Sequence, residues 1–324
     1  MQYRTLNDLS ALVNQCGSQM PRDIELIVGV TRGGMLLGSM LSLKSNLPLT
    51  DLRSFQRNED LDPVTPRQGK PSPSKPHQAR KVLLVDSSIA TGKTMASARE
   101  AVASCFDGDV VTLAGFVNPE NVSKVDICLE ALPLPRFFEW SIMHHEIIGH
   151  ACLDIDGVLC VDPTHEQNDD GERYIDFLKN AAPLHIPTTQ ALHLVTSRLE
   201  KYRKETEEWL ERNGVQYGKL HMLNMASAEE RRRANAHHVL KAEVYKNDPN
   251  ALLFIESEPR QAVEILRISG KPVFCVDTNQ MYLPEMLEEL LSQQRRQSGF
   301  GIKRRIAAGL RLLTSRPRPG PVAA

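Results

Sequence analysis

Val82-Leu83-Leu84-Val85-Asp86-Ser87-Ser88-Ile89-Ala90-Thr91-Gly92-Lys93-Thr94-Met95 is the stretch from which the fold of the chain is read. Its four opening apolar residues predict a buried parallel strand. Asp86 stands at the carboxyl end of that run. A short hydroxyl-rich turn with one glycine follows, and Met95 to Cys105 reads as a helix, Ala-rich and free of Pro and Gly. Strand, acid, small polar turn and helix N-terminus make an anion site, because free N–H groups and the helix dipole point at a phosphate. An ordinary β–turn–α crossover is the plainer alternative. A P-loop is a poorer match, since its first glycine would fall at Ser87 and it places no carboxylate where Asp86 stands.

Working outward, Thr5 to Gln15 reads as a helix with Leu6, Leu9, Leu12 and Val13 on one face. Leu26 to Val30 reads as a second buried strand. It runs into Thr31-Arg32-Gly33-Gly34 and then a helix from Met35 to Leu43. Paired glycines allow close backbone approach to a ligand, and Arg32 brings a fixed charge. Gln56 to Arg80 holds five Pro, three acids, five Lys or Arg and almost nothing apolar, which predicts a mobile, unpacked loop. Val110 to Phe116 and Ile127 to Leu129 read as further strands of a twisted parallel sheet. Pro133 to Glu146 marks a boundary. His144, His145 and His150 lack partners at metal-ligand spacing and read as surface or packed histidines.

A second chemistry begins at Ala151-Cys152-Leu153-Asp154-Ile155-Asp156-Gly157-Val158. Two carboxylates at i and i+2 on a strand end point the same way. A calcium loop or a chance acid pair is the competing reading. Ala191 to Arg198 is a strand ending in the hydroxyls of Thr196 and Ser197. Arg203 to Gly214 is a helix closed by glycine. Lys241 and Lys246 follow, then the apolar strand Leu252 to Ile255 ending in Glu256-Ser257-Glu258, and Val273 to Val276 ending at Asp277. Only 39 residues separate Asp156 from Thr196, with one plausible helix, Glu172 to Asn180.

A length of 324 residues sets a prior of about two domains. A 41% hydrophobic and 24% charged composition is that of an ordinary soluble globular chain with material for two cores. The net charge of −1 gives no general affinity for polyanions. Six cysteines without C-x-x-C spacing point to reduced thiols rather than a zinc site or disulfide scaffold. The polar N-terminus carries no signal pattern, and no apolar run approaches the ~18 residues of a membrane span. From Arg295 to Ala324 there are eight Lys or Arg and no acid. Phe300, Ile302, Ile306, Leu310 and Leu313 fall near one helical face there, with Lys303, Arg304 and Arg311 away from it. That pattern suits an interfacial helix on an anionic membrane, against a plain solvated tail. Few aromatics are available to stack on bases, which counts against nucleic acid.

The run from Val82 to Met95 resembles the PRPP-binding signature of type I phosphoribosyltransferases: apolar strand, one or two acids, then a Thr-Gly-x-Thr phosphate loop. The resemblance implies Asp86 as the catalytic ribose ligand. Ala90, Thr91, Gly92, Lys93 and Thr94 become the 5-phosphate cradle, and Ser87 and Ser88 share the substrate-binding run. The family usually has a second acid where Ser87 stands. Arg32, Gly33 and Gly34 resemble its diphosphate loop, and residues 56–80 its lid, which would keep water from an oxocarbenium-like ribosyl centre.

Downstream, four motifs across about 105 residues resemble, in order, those of haloacid dehalogenase-like (HAD) phosphatases. They imply Asp154 as nucleophile and Asp156 as general acid/base. Thr196 and Ser197 would hold phosphate, with Lys241 the neutralising cation and Lys246 its competitor. Asp154, Asp156, Glu256 and Glu258 would hold Mg2+; the family normally has Asp at the last two. Magnesium would serve both halves. The implied fold is α/β, with two doubly wound parallel-sheet domains. A type I phosphoribosyltransferase fold spans 1–146, a HAD-like Rossmannoid fold with minimal cap spans 147–290, and a basic amphipathic tail spans 291–324.

Transfer from PRPP leaves a 5-phosphate on the delivered ribose, and a phosphatase behind it would remove that phosphate. For nucleotide salvage this is self-defeating; for a plain ribofuranose it is required. The arrangement resembles phosphoribosyltransferase–phosphatase pairs that place β-ribofuranose in bacterial capsule and O-antigen polysaccharides. It implies PRPP and a lipid-linked glycan acceptor as partners, and a cytoplasmic enzyme whose tail reaches the inner membrane. Two alternatives are a nucleobase phosphoribosyltransferase with an accessory phosphatase, and a non-catalytic sensor of PRPP or a phosphosugar.

Overall fold

Val82, Leu83, Leu84 and Val85 have no solvent-accessible surface. Such a run needs cover on both faces. The computed structural model, which describes residues 1–65, 72–233 and 237–296, supplies it with helices on each side. The chain forms two compact units, Met1–Ser141 and Ile142–Ala324.

The first unit contains strands β1 (Gln2–Arg4), β2 (Leu26–Gly29), β3 (Leu49–Asp51), β4 (Lys81–Ile89), β5 (Asp109–Val117), β6 (Ile127–Ala131) and β7 (Arg136–Phe138). Its helices are α1 (Leu6–Gln15), α2 (Gly33–Ser45), α3 (Leu52–Gln56) and α4 (Lys93–Ala103). Five strands form a parallel sheet in the order β3-β2-β4-β5-β6, and β1 pairs with β7. Alternate residues of β4 face opposite sides. Leu83 and Val85 join Leu9, Val13, Leu37 and Leu41 of α1 and α2. Val82 and Leu84 join Phe55, Met95, Ala98 and Val102 of α3 and α4. Each such Val, Leu, Phe or Met burial is worth about 1.5–3 kcal/mol. Thr5 and Asp8 close a capping box on α1, which satisfies orphan amides at its start.

Three local expectations change. β4 does not stop before Asp86 but continues to Ile89, because β5 offers ladder partners to Asp86, Ser88 and Ile89. Gly33 and Gly34 lie in the first turn of α2 rather than in a loop. The segment from Gln56 to Arg80 packs at both ends: Leu61 takes the Ser74 carbonyl, Pro76 is buried, and the His77 ring meets Phe55 edge-on at 5.3 Å. Aromatic and apolar anchors at its ends outweigh its polar composition. Residues 66–71 lie outside the described residues, so the lid expectation is left without structure at its centre.

In the second unit the strands are β8 (Ala151–Leu153), β9 (Ala191–Leu199), β10 (Tyr217–Leu223), β11 (Leu253–Glu256), β12 (Val273–Cys275) and β13 (Gln280–Tyr282). The helices are α5 (Glu172–Asn180), α6 (Arg203–Arg212), α7 (Ala228–Arg233), α8 (His237–Asn247) and α9 (Pro259–Ser269), and residues 287–296 are also helical. The sheet order is β10-β9-β8-β11-β12-β13, parallel except for β13. One face packs Cys152, Val195, Phe254 and Val273 against α8 and α9. Between Asp156 and Thr196, α5 is the one α-helix among the described residues. Of the basic amphipathic tail expected over 291–324, residues 291–296 belong to the helix over 287–296 and the rest lies outside the described residues.

Both sheets reverse their winding direction once, between β2 and β4 and around β8. In open α/β sheets such a switch point opens a crevice beyond the strand carboxyl ends, where ligands bind.

Candidate active sites

In the first unit the switch point places the ends of β2 and β4 side by side, with Val30 N–H donating to the Val85 carbonyl at 2.8 Å. Arg32 follows β2 and is exposed; the Thr31–Arg32 peptide is cis. Gly33 and Gly34 serve a contact the sequence did not disclose. A Cβ on Gly34 would lie 2.2 Å from the Val85 carbonyl, and one on Gly33 would lie 2.1 Å from Ser87 Oγ. The glycines therefore let the start of α2 touch β4, which brings Arg32 to the same edge.

Asp86 is half-buried on β4. Burial pushes its carboxyl up to about 6, against the backbone amides of Ser88 and Ser87, which pull it down. Ser87 is buried, and Ser88 accepts a hydrogen bond from Arg136. Beyond them Ala90, Thr91, Lys93 and Thr94 are exposed around Gly92, whose φ of +84° caps α4. Asn121 Nδ2 donates to the Ala90 carbonyl at 2.7 Å and Lys124 Nζ to the Thr91 carbonyl at 2.6 Å. The Lys93 N–H donates weakly to Thr91 Oγ1 at 3.4 Å, and the other first-turn amides of α4 have no intrahelical acceptor and can meet an anion. Lys124 was not legible in the sequence as part of this cradle.

In the second unit Asp154, Asp156, Ser197, Lys241 and Glu258 line a cavity of about 360 Å³, together with Asp162 and Asp277. Lys241, on α8, is buried and donates to Asp154 Oδ2 at 2.6 Å, Glu256 Oε2 at 2.7 Å and Gln261 Oε1 at 3.1 Å. Lys246 is exposed on the same helix. Burial pushes Asp154 up, opposed by Lys241 and reinforced by Glu256 and Asp156. The two carboxylates hold Lys241 firmly protonated despite its burial.

Two roles shift. Thr196 is buried, its oxygen accepting the Arg198 N–H at 3.2 Å, while Ser197 faces the cavity and donates to the His237 carbonyl. Asp156 is gripped by Arg198, a residue quoted in the sequence but given no role. Asp154 and Lys241 are therefore adjacent, whereas Asp156 is engaged in an ion pair with Arg198. Asp162 is the carboxylate that sequence reasoning missed. The Cys160 thiol, which donates to Asp156 Oδ1, also receives an Arg198 N–H.

The expected magnesium set does not fit an ion as arranged. Glu256 has no exposed surface; its Oε1 accepts the amides of Ser257 and Glu258, and its Oε2 accepts Lys241. Glu258 caps α9 with both oxygens. Asp156 belongs to Arg198. Among the described residues no three His, Cys, Asp or Glu side chains converge as metal ligands. The longer glutamate side chains reach back to the backbone and to Lys241 instead of out to the cavity.

Comparison with solved structures finds similarity to the Helicobacter pylori xanthine-guanine-hypoxanthine phosphoribosyltransferase: 20% identity, TM-score 0.31, covering 44% of this chain and 92% of that one. The purine phosphoribosyltransferase of Pyrococcus horikoshii is 18% identical with a TM-score of 0.30, covering 43% of this chain and 95% of that one. The orotate phosphoribosyltransferase of Aeropyrum pernix is 20% identical with a TM-score of 0.27, covering 38% of this chain and 68% of that one. No curated protein matches the chain. The assignment comes from the family model instead: residues 3–108 match the phosphoribosyl transferase domain, and this segment of the chain is such a domain.

Proposed function

We propose that the chain transfers a 5-phosphoribosyl group from PRPP to a glycan hydroxyl, and that its second unit then removes the 5-phosphate to leave a β-ribofuranoside. The carrying observation is the Asp154–Lys241 pair, 2.6 Å apart at the carboxyl edge of a parallel sheet, in a chain whose residues 3–108 are a phosphoribosyl transferase domain. A nucleophilic carboxylate beside a buried cation suits phosphoryl transfer.

In the first step Arg32 steadies the departing diphosphate, Asp86 holds the ribose hydroxyls, and the loop from Ala90 to Thr94 holds the 5-phosphate. The acceptor oxygen bonds to the anomeric carbon as the bond to diphosphate breaks, with inversion. The acceptor proton leaves with the diphosphate or to solvent. In the second step an Asp154 oxygen attacks phosphorus, and the ribosyl oxygen leaves with a proton from Asp156. Lys241 offsets the charge gathered on the phosphoryl oxygens. Water then splits the aspartyl phosphate, giving its proton to Asp156. The Arg198 fork fixes the Asp156 oxygens in position for this step. The exposed mouth left by the single helix α5 fits a large ester. No helix among the described residues is long and apolar enough to cross a membrane, so contact with a lipid-linked acceptor belongs to surface or tail residues in this reading.

Incubation with PRPP and lipid-linked glycan acceptors, followed by mass spectrometry, tests the proposal. The parent should yield a ribosylated glycan without phosphate, and Asp154→Asn should stall at the phosphorylated product. Diphosphate release that depends on an added nucleobase would select the salvage reading instead.

A further inference from the structure

Arg136 opens β7 and is 4% exposed. Its guanidinium donates to the Leu132 carbonyl at 2.7 Å and to Ser88 Oγ at 2.9 Å, and lies 5.9 Å from the centroid of the Phe138 ring. Among the described residues no carboxylate forms an ion pair with it. The acid on β6, Glu130, is bound by Arg4. Burial pulls the Arg136 guanidinium below its ordinary range. A buried cation without a counter-ion is an expensive arrangement, and a neutral side chain of similar size would tie β7 to the sheet at lower cost.

Its contact gives it a use. Ser88 lies two residues beyond Asp86, on the edge that carries the cradle. Because Arg136 donates into the Ser88 oxygen, the hydroxyl proton is directed away from Arg136 and is available to donate. The pair therefore presents an O–H backed by a positive charge. The two anionic ends of PRPP already have donors in Arg32 and in the loop from Ala90 to Thr94. Arg136 also stands outside the segment 3–108 that matches the phosphoribosyl transferase domain.

We propose that Arg136, acting with Ser88, holds an anionic group of the acceptor, so that the acceptor is an acidic sugar bearing a carboxylate or a phosphate. This rests on the phosphoribosyl-transfer reading above.

Calorimetric titration of the full chain tests it. PRPP is titrated first. Glucuronate, glucose 1-phosphate and methyl glucoside are then each titrated in saturating inorganic diphosphate. At least one anionic sugar should bind and methyl glucoside should not. Arg136→Met should weaken the anionic sugar about tenfold or more, the loss expected of one charge-assisted hydrogen bond, while PRPP affinity stays within about twofold. Arg136→Lys should recover part of the affinity, and Ser88→Ala, which keeps the buried arginine, should weaken the same sugar by a larger factor than it weakens PRPP. Thermal melts establish that each variant is folded, and Ser88→Ala carries the test if Arg136→Met is not. Equal binding of neutral and anionic sugars, binding of neither, or no effect of either substitution overturns the proposal. A tenfold loss of PRPP affinity would assign the anion to PRPP and overturn it as well. Failure of the parent to bind PRPP at all would sink the transfer reading itself.

Discussion

Arg198 holds Asp156 by a fork: Nη2 is 2.6 Å from Oδ1, and Nε is 3.2 Å from Oδ1 and 3.1 Å from Oδ2. The arginine side chain has no exposed surface and the aspartate is 19% exposed. A planar guanidinium meets both carboxylate oxygens in a way lysine cannot. The Asp156 carboxylate is thereby fixed in position.

Removing one partner of such a buried pair leaves the other charge uncompensated. Arg198→Met should destabilise the second unit by about 3–5 kcal/mol at neutral pH, and Arg198→Lys by less. Urea unfolding on a Trp140→Phe background reads this through Trp209, which is buried in α6. The double change Arg198→Met with Asp156→Leu should recover part of the loss. Equal losses for Met and Lys, with no recovery in the double variant, would mean that the fork contributes nothing beyond packing.

Lys241 stands between Asp154 and Glu256, both buried. In Lys241→Met Asp154 faces Glu256 without its cation, so the Asp154 carboxyl, which burial already pushes up, rises further. Carboxylates raised in this way leave the fold intact below the unfolded pKa of about 4 and weaken it as pH climbs. The variant should therefore lose more stability at pH 8 than at pH 5, reaching about 3–5 kcal/mol. Denaturant midpoints of parent and variant at the two pH values check this. A loss independent of pH would show that the lysine acts only by filling space.

The apolar strands and the order of motifs were legible because both are local in sequence. Val82 to Val85 and Leu253 to Ile255 announce buried strands by composition. Asp154 and Lys241 are recognisable one motif at a time. What was not legible depends on partners distant in the chain. Arg198 and Asp156 are 42 positions apart, and Arg136 and Ser88 are 48. Neither pairing leaves a periodic trace. Polar Ser87 and Ser88 read as a turn, yet the ladder to β5 extends them into the strand. Glu256 looked like a metal ligand until Lys241 and two backbone amides were seen to occupy its oxygens.

Asp86 should titrate in a measurable window. Burial pushes its carboxyl up to about 6, so the folded state binds its proton more tightly than the unfolded state. Stability then falls as pH rises from about 4 to about 6, by up to about 3 kcal/mol from this group. Asp86→Asn should be more stable than the parent at pH 7, with the difference vanishing below pH 4, while PRPP binding is lost. Thermal melts from pH 3.5 to pH 8 give the comparison. A constant offset across that range would place the effect in packing rather than in charge.

The glycine pair offers a test that separates backbone from side-chain contact. A methyl group on Gly34 would meet the Val85 carbonyl at 2.2 Å and the Asp86 Cα at 3.2 Å. That carbonyl also accepts the Val30 N–H, so neither strand can yield without breaking the β2–β4 junction. A methyl group on Gly33 would instead meet Ser87 Oγ at 2.1 Å and its Cβ at 3.1 Å, atoms that a side-chain change can remove. Overpacking of this kind costs about 1–3 kcal/mol or more, and Gly34→Ala should lie at the upper end. Gly33→Ala should be milder, and Gly33→Ala with Ser87→Ala should be more stable than Gly33→Ala alone, a positive coupling readable in a double-mutant cycle. PRPP affinity should follow the same order, because lifting the start of α2 off β4 carries Arg32 away from Asp86. If Gly34→Ala bound PRPP as the parent does, the contact between α2 and β4 would not be what sets the position of Arg32.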